Sequence, residues 1–416
     1  MKDSNLQEKK IHIGISLLIM GHLLLRLAER IIWSRNELLY RVDSWCITEF
    51  LVNYQGGYVR RGLLGELIYQ LTNIFPAIDP RWYIGTICFL SIIGVVYFFI
   101  KKFRKENLCW WILPLNVCLM GAYDLIRKDF ICALLVMCTL HAYNKINTPR
   151  LRCITVSSLL VIALNIHECV FFMCVPFIVL LYIKDMSMHL SYKIIGIIIP
   201  LVAMFLICCY KGTQETAQHI WQSWSNIYEN YKTSSPSGSI AAIGWDSSYA
   251  ISYHTQVNFF SRSGIIYGWY SKPLVWLATL YVIPHILFMK RKLNQNTSSD
   301  ITRFISIMAF QFCSLIPMFT ILSCDGSRIC FYWLVSTLLI YFIITPAKTS
   351  HIWPTIYTNA INSLQNKFFN PRSTKIAIVM LLFLAISQNY TNIVGAFYNS
   401  IIGTYIYSLS LLSECL

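Results

Sequence analysis

The strongest constraint on this chain is a series of apolar blocks long enough to cross a bilayer. A membrane helix needs roughly 17–25 predominantly apolar residues. Eleven segments read as such spans: 11–30, 82–100, 108–124, 129–146, 153–168, 169–184, 194–210, 272–290, 303–322, 329–345 and 376–394. Lipid gives backbone N–H and C=O groups no partner, so a continuous apolar span must bond within itself as a helix. The expected fold is therefore all-α, a polytopic membrane protein with about eleven transmembrane helices forming a single transmembrane domain over 1–416. Composition agrees. Charged residues are 13% of the 416 positions, against about a quarter in soluble domains. Lys9 and Lys10 precede the first block, as in a secretory signal. Arg26, Glu29 and Arg30 follow it in place of a small-residue cleavage site, so it reads as a retained helix. Pro114, Pro176, Pro200, Pro284 and Pro317 fall inside spans, a break that membrane helices tolerate when neighbours satisfy the freed backbone groups.

The formal charge of +15 might suggest nucleic acid, but its distribution assigns it to topology. With the N-terminus in the cytoplasm, the inner segments are 1–10, 101–107, 145–152, 184–193, 290–303 and 346–375. They hold 20 of the 34 Lys and Arg residues and only five acids: Asp3, Glu8, Glu106, Asp185 and Asp300. The outer side carries 14 basic and 14 acidic residues and balances to zero. That is the positive-inside pattern. It leaves no basic surface requiring nucleic acid. The 15 cysteines include no Cys-x-x-Cys and lack metal-ligand spacing, so no metal is expected.

Two large segments face outward, 31–81 and 211–271, and 346–375 is the main cytoplasmic loop. The first contains Asn53-Tyr-Gln-Gly-Gly-Tyr-Val-Arg-Arg-Gly-Leu-Leu-Gly65. The second places Trp221, Trp224, Tyr228 and Tyr231 three, four and three apart, on one helical face. That face suits an interfacial anchor first and a sugar platform second.

Charge gathers at the outer ends of helices in four clusters: Arg60–Arg61; Asp124, Arg127, Lys128 and Asp129; His167–Glu168; and Asp325 with Arg328. Ionisable groups at membrane depth are costly and mark function or pairing. Arg presents a planar fork for phosphate and Lys a point charge. The expected ligand is a phosphorylated lipid, with Arg60, Arg61, Arg127, Lys128 and Arg328 on its pyrophosphate. Glycines around Arg60–Arg61 permit close backbone approach. His167, Glu168 and Asp325 are candidate bases for a sugar hydroxyl. Asp124 and Asp129 are expected to orient the neighbouring cations. His22, His141 and His285 are expected to hydrogen-bond between helices. No Walker loop, dinucleotide fingerprint, zinc-protease motif or nucleophile elbow occurs.

Three stretches carry a family resemblance. Tyr123-Asp-Leu-Ile-Arg-Lys-Asp-Phe-Ile131, Asn165-Ile-His-Glu-Cys-Val-Phe-Phe172 and Cys324-Asp-Gly-Ser-Arg-Ile-Cys-Phe-Tyr332 resemble motifs of EpsG-type proteins, grouped with Wzy-type O-antigen and exopolysaccharide polymerases. The resemblance covers the spans from about 80 to 345. Lys128 stands where Gln is frequent, and Glu168 where a small residue is frequent. The resemblance implies a glycosyltransferase, without cofactor, of bacterial polysaccharide and lipopolysaccharide biosynthesis. It would sit in the inner membrane with a periplasmic site and leave a GT-C-like architecture open. Its implied substrate is an undecaprenyl-pyrophosphate-linked oligosaccharide, whose growing glycan passes to the terminal sugar of a fresh repeat unit. Membrane lipid is an implied partner, and a chain-length regulator protein stays open as another. A flippase or transporter of lipid-linked oligosaccharide ranks second, because no internal repeat is visible. A glycan-modifying membrane acyltransferase ranks third.

The topology makes the first prediction. Cysteine labelling or reporter fusions should place 1–10, 101–107 and 290–303 in the cytoplasm and 211–271 outside. An outside signal from 290–303 would reverse the orientation and dissolve the shared outer site.

Overall fold

The computed structural model describes residues 34–103, 125–260, 298–349 and 352–368, with Gly21, Ala28, Ile31, Ile32 and Ile376. Among them the protein is all-helical. The principal helices are α1 (Trp45–Leu51), α2 (Gly62–Ile74), α3 (Pro80–Phe103), α4 (Asp129–Lys145), α5 (Pro149–Ile166), α6 (Cys169–Lys184), α7 (Leu190–Cys209), α8 (Gln214–Ser223), α9 (Ser247–Thr255), α10 (Ser298–Pro317), α11 (Gly326–Ile343) and α12 (Thr355–Phe368). A π-turn over Met318–Leu322 extends α10. The expected spans at 11–30, 108–124, 272–290 and 376–394 fall outside the described residues, apart from a few isolated positions.

Among the described residues four helices are long and apolar enough to cross a membrane: Pro80–Lys102, Pro149–Ile166, Leu190–Cys209 and Asp300–Leu322. Cys169–Lys184 and Arg328–Ile343 are shorter apolar helices. α7 shows the logic of the bundle. Only 17% of its most apolar stretch is buried inside the protein. Its buried positions are Gly196, Pro200, Ala203 and Ile207, a mostly small-residue stripe at helical spacing. A Cβ on Gly196 would lie 2.6 Å from the Tyr182 ring of α6. Small residues on the protein side and Ile, Leu, Val and Phe on the other suit a lipid-facing helix. Pro176 of α6, Pro200 of α7 and Pro317 of α10 all sit inside helices that continue past them or end there.

α4 packs against α3, α5, α6 and α11, and α5 against α7, around a core that includes Phe130, Val136, Met173, Phe177, Phe331 and Trp333. Cations bind carbonyls at one end of this bundle. Lys102 Nζ donates to Phe342 O (3.1 Å), Lys348 Nζ to Asn144 O (3.0 Å), Lys193 Nζ to Ile183 O (3.2 Å), and Arg303 to Tyr341 O (2.9 Å) and Ile344 O. Those carbonyls lie at the C-terminal ends of α4, α6 and α11, where the helix dipole favours positive charge. The stretch 346–375, expected as a loop, is helical over Pro346–Thr349 and Thr355–Phe368. His141 meets the Phe98 ring edge-on at 5.8 Å. His22 and His285 lie outside the described residues.

The two outward segments form a second core over the opposite end of the bundle. Phe50, Leu51, Ile68, Trp221, Trp224, Tyr231 and Ile240 are buried together, joined by Ile126, Ile131 and Ile166 from the bundle ends. This corrects the reading of the aromatic stripe. Trp221, Trp224, Tyr228 and Tyr231 are all buried, so they are neither an interfacial anchor nor an exposed platform. α8 ends at Ser223, and the chain folds back so that Trp221 stacks on Tyr231 at 3.6 Å and 8°. Three of their polar ends find partners, as buried Trp and Tyr usually require, while Trp221 Nε1 has none among the described residues. Trp224 Nε1 donates to Leu51 O (2.8 Å), Tyr231 Oη to Val42 O (2.7 Å), and Tyr228 Oη to Asp79 Oδ1 (3.1 Å).

Gly65 tests this packing. A Cβ there would lie 1.9 Å from Val52 O and 2.7 Å from Phe50 O, which are rigid backbone atoms. Gly65→Ala should cost roughly 1–3 kcal/mol, as overpacking does, and lower the melting temperature in nanodiscs. Gly85→Ala, whose Cβ would meet only the end of Leu38 at 3.1 Å, should melt close to the parent. Equal melting of both variants would mean that the α1–α2 contact is looser than described.

Candidate functional site

Short connections deliver charge to one end of the bundle. Arg60 and Arg61 immediately precede α2, and Arg127 and Lys128 precede α4. His167 and Glu168 are the two residues between α5 and α6, so neither can move far from the helix ends. Asp325 precedes α11 and Arg328 lies in its first turn. The N-termini of α2, α4, α6 and α11 therefore carry the clustered charges. Each N-terminus adds a partial positive charge of about half a unit.

At the centre is a residue that sequence reading did not single out. Glu49, on α1, is fully buried. Its Oε1 lies 3.5 Å from Arg328 Nη2 and 3.3 Å from His167 Nε2, and its Oε2 lies 3.6 Å from Arg127 Nη1. Burial works to raise its pKa, but Arg328, His167 and Arg127 together hold it well below the usual carboxylate range. The available signal was a lone carboxylate in the otherwise uncharged helix Trp-Cys-Ile-Thr-Glu-Phe-Leu.

Two bidentate pairs flank this hub. Arg328 Nε lies 3.1 and 3.0 Å from the two oxygens of Asp129, and its Nη2 lies 2.7 Å from Oδ1. Tyr332 Oη donates to the same Oδ1 at 2.5 Å. Asp129 thus orients Arg328, not the neighbouring Arg127 and Lys128 as expected. Arg61 Nε donates to Glu168 Oε2 at 2.8 Å and to Oε1 at 3.0 Å, and its Nη2 also reaches Oε1. Glu168, one of the three candidate bases, is the carboxylate partner of an arginine 107 residues away. Lys128 is fully buried, its ammonium donating to Arg61 O at 3.0 Å. Burial lowers its pKa to about 8.

His167 is buried and oriented. Its Nδ1 accepts the backbone N–H of Cys169 at 3.1 Å. Its Nε2 lies 3.3 Å from Glu49 Oε1 and its Nδ1 3.6 Å from Glu168 Oε2, so the ring sits between two carboxylates. Asp325 accepts the backbone N–H of Arg328 at 3.4 Å as the N-cap of α11, and makes no ion pair among the described residues. Asp124 lies outside the described residues. The glycines near Arg60–Arg61 chiefly admit the chain itself. A Cβ on Gly62 would fall 2.3 Å from the Tyr54 ring, and one on Gly56 2.7 Å from Thr216 O.

Arg60 and Arg61 both bring their guanidiniums to Glu168 Oε1. Arg61 has φ 64°, the sole positive φ at a non-glycine among the described residues. Such a conformation costs of order 1–3 kcal/mol and persists only where surroundings over-determine it. Here Glu168 holds the side chain and Lys128 the carbonyl. Arg60 is held more loosely. Its Nη2 donates to Ala242 O (3.2 Å), its Nη1 lies 4.0 Å from Glu168, and its buried Nε has no hydrogen-bond partner among the described residues.

The assembled centre holds Arg60, Arg61, Arg127, Lys128 and Arg328 against Glu49, Asp129 and Glu168. Cations exceed these three carboxylates by two, and by one when Asp325 at the start of α11 is counted with them, before the helix dipoles are added. What the fold defines, among the described residues, is a helical protein with helices long and apolar enough to cross a membrane and a buried, net-cationic centre at one end of the bundle. The chain matches no protein-family profile, no curated protein and no solved structure.

The strain at Arg61 gives a rank order. Arg61→Gly and Arg61→Ala both lose the Glu168 pair, but glycine adopts positive φ freely. Arg61→Gly should be the more stable by about 1 kcal/mol, read as the higher melting temperature. The reverse order would mean that residue 61 does not hold the left-handed conformation.

Proposed function

We propose that this protein is a membrane glycosyltransferase of the polysaccharide-polymerase type. It transfers a growing glycan from undecaprenyl-pyrophosphate to the terminal sugar of a lipid-linked repeat unit, at the periplasmic face of the bacterial inner membrane. The reading takes the full set of eleven spans and the inside N-terminus from the charge pattern of the sequence. The observation that carries it is the excess of cations over carboxylates in a buried centre ringed by helix N-termini. A pyrophosphate leaving group gains negative charge as its bond breaks, and preorganised cations stabilise that charge most where water is excluded. Arg60 is the best placed to meet a new anion, since its Nε lacks a partner among the described residues and its side chain is a quarter exposed. Arg61 and Arg328 are engaged with carboxylates, so they set the field and hold the geometry.

The proton acceptor follows from the same pairing. Glu168 is bound by Arg61, and a carboxylate clamped by arginine is a weak base. His167 lies between the carboxylates of Glu49 and Glu168. Among the described residues Asp325 is engaged through a backbone N–H alone, which leaves its second oxygen for the acceptor hydroxyl. We assign it the general-base role.

Surface glycan from a deletion strain separates the functional classes. Loss of a polymerase leaves one repeat unit on the final acceptor. Loss of a flippase leaves none, and loss of a decorating enzyme leaves full-length chains. In the complemented strain, Asp325→Asn should abolish extension while melting normally, because Asn caps a helix as well as Asp does. Arg60→Ala should do the same, and Arg60→Lys should restore little because the fork is lost. Normal long chains from both Arg60→Ala and Asp325→Asn would remove this site from the mechanism.

A further inference from the structure

A second aromatic row, distinct from the buried stripe, lies on the surface of the outward segment. Trp245, Tyr249 and Tyr253 are spaced four apart, and the helix α9 brings the two tyrosines to one face. The Trp245 ring centroid lies 5.4 Å from that of Tyr249 and 5.6 Å from that of Tyr253, and the two tyrosines are nearly parallel at 22°. Trp45, at the start of α1, extends the row at 6.3 Å from Trp245. Trp45 and Tyr253 are each 39% exposed and Tyr249 55%. No side chain of α9 is fully buried.

The row leads into the cationic centre. Ala242 O accepts both the backbone N–H of Trp245 (3.4 Å) and Nη2 of Arg60 (3.2 Å), so one carbonyl joins the platform to the most available arginine. At the far end Tyr253 meets the His254 ring at 5.6 Å. Burial, then Arg61 and Arg60, keep that imidazole below its ordinary pKa, which places it within the field of the arginine pair. Its Nδ1 is buried without a hydrogen-bond partner among the described residues.

The surroundings choose between sugar and lipid. Asp246, next to Trp245, is 87% exposed, with Lys211 Nζ 3.8 Å away and also donating to Ser247 Oγ at 3.2 Å. Ser247 and Ser248 are exposed between Trp245 and Tyr249, and Ser252 between the two tyrosines. A charged pair and a hydroxyl-rich helix are costly in acyl chains. They are apt partners for sugar hydroxyls, while flat aromatic faces accept the C–H faces of pyranose rings.

We propose that Trp45, Trp245, Tyr249 and Tyr253 form a glycan-binding platform that holds the sugar portion of a lipid-linked substrate whose pyrophosphate reaches Arg60. The assignment deepens the proposed function and rests on the cationic centre being a pyrophosphate site.

The test uses full-length protein in nanodiscs with two probes read separately. The first is a set of oligosaccharides released by mild acid from the producing cells' own surface polysaccharide, followed by saturation-transfer NMR. The second is inorganic pyrophosphate, followed by calorimetry. Tyr249→Leu/Tyr253→Leu should weaken oligosaccharide binding at least tenfold, leave pyrophosphate binding within twofold and shorten the glycan made in cells. Arg60→Ala should weaken pyrophosphate binding and spare the oligosaccharide. Oligosaccharide binding within twofold of the parent in the Leu variant would overturn the platform, as would no binding to the parent protein. Full glycan length with Leu and its loss with Tyr249→Ser/Tyr253→Ser would also overturn it, showing a lipid anchor instead. Pyrophosphate binding untouched by Arg60→Ala would instead count against the cationic centre, with the oligosaccharide measurement still deciding the platform.

Discussion

The outer half of this structure depends on a single buried carboxylate. Glu49 is fully removed from solvent, and an isolated ionised carboxylate in such a place would be prohibitively costly. It is tolerable because Arg127, Arg328 and His167 converge on it from three different helix ends. α1 belongs to the outer cap and those three residues to the bundle. The pairing therefore docks one on the other in one register. Breaking such a pair costs far more than its net contribution to stability. The network acts more as a device for specifying geometry than as a source of stability.

The bundle is electrically polar along its length. α4, α6 and α11 begin at the net-cationic centre and end at the opposite face, where Lys and Arg side chains bond their last carbonyls. Residues that the positive-inside rule assigns to topology thus also complete helix C-termini. At the other end the helix N-termini reinforce the arginines. The centre therefore attracts anions more strongly than its excess of side-chain charge alone implies, and this field is what the proposed reaction would use on a departing pyrophosphate.

Two aromatic series of similar spacing met opposite fates. Trp221, Trp224, Tyr228 and Tyr231 are legible in the sequence as one helical face, yet they fill the cap's core. Trp245, Tyr249 and Tyr253 carry an equally regular spacing of four, yet beside Asp246 the two tyrosines stay exposed and Trp245 half-buried. Spacing defines a face but not what that face meets. The neighbours make the difference. The first series folds back on itself against α1 and α2, while the second has serines and a charged pair around it.

The helices that cross the bundle, their approximate ends and the gathering of charge at short connections were all readable from the chain. They follow from local quantities, namely the length of an apolar run and the residues that interrupt it. Tertiary structure alone decided how the charges are matched. Asp129 turned to Arg328 instead of its sequence neighbours, Glu168 to Arg61, and Glu49 to an arginine 279 residues away. Such pairings depend on which helix ends are brought within a few ångströms, and no local pattern encodes that distance. Asp325 shows the same division. The chain marked it as a carboxylate on the outer face, and the fold made it the cap of α11, without an ion pair among the described residues.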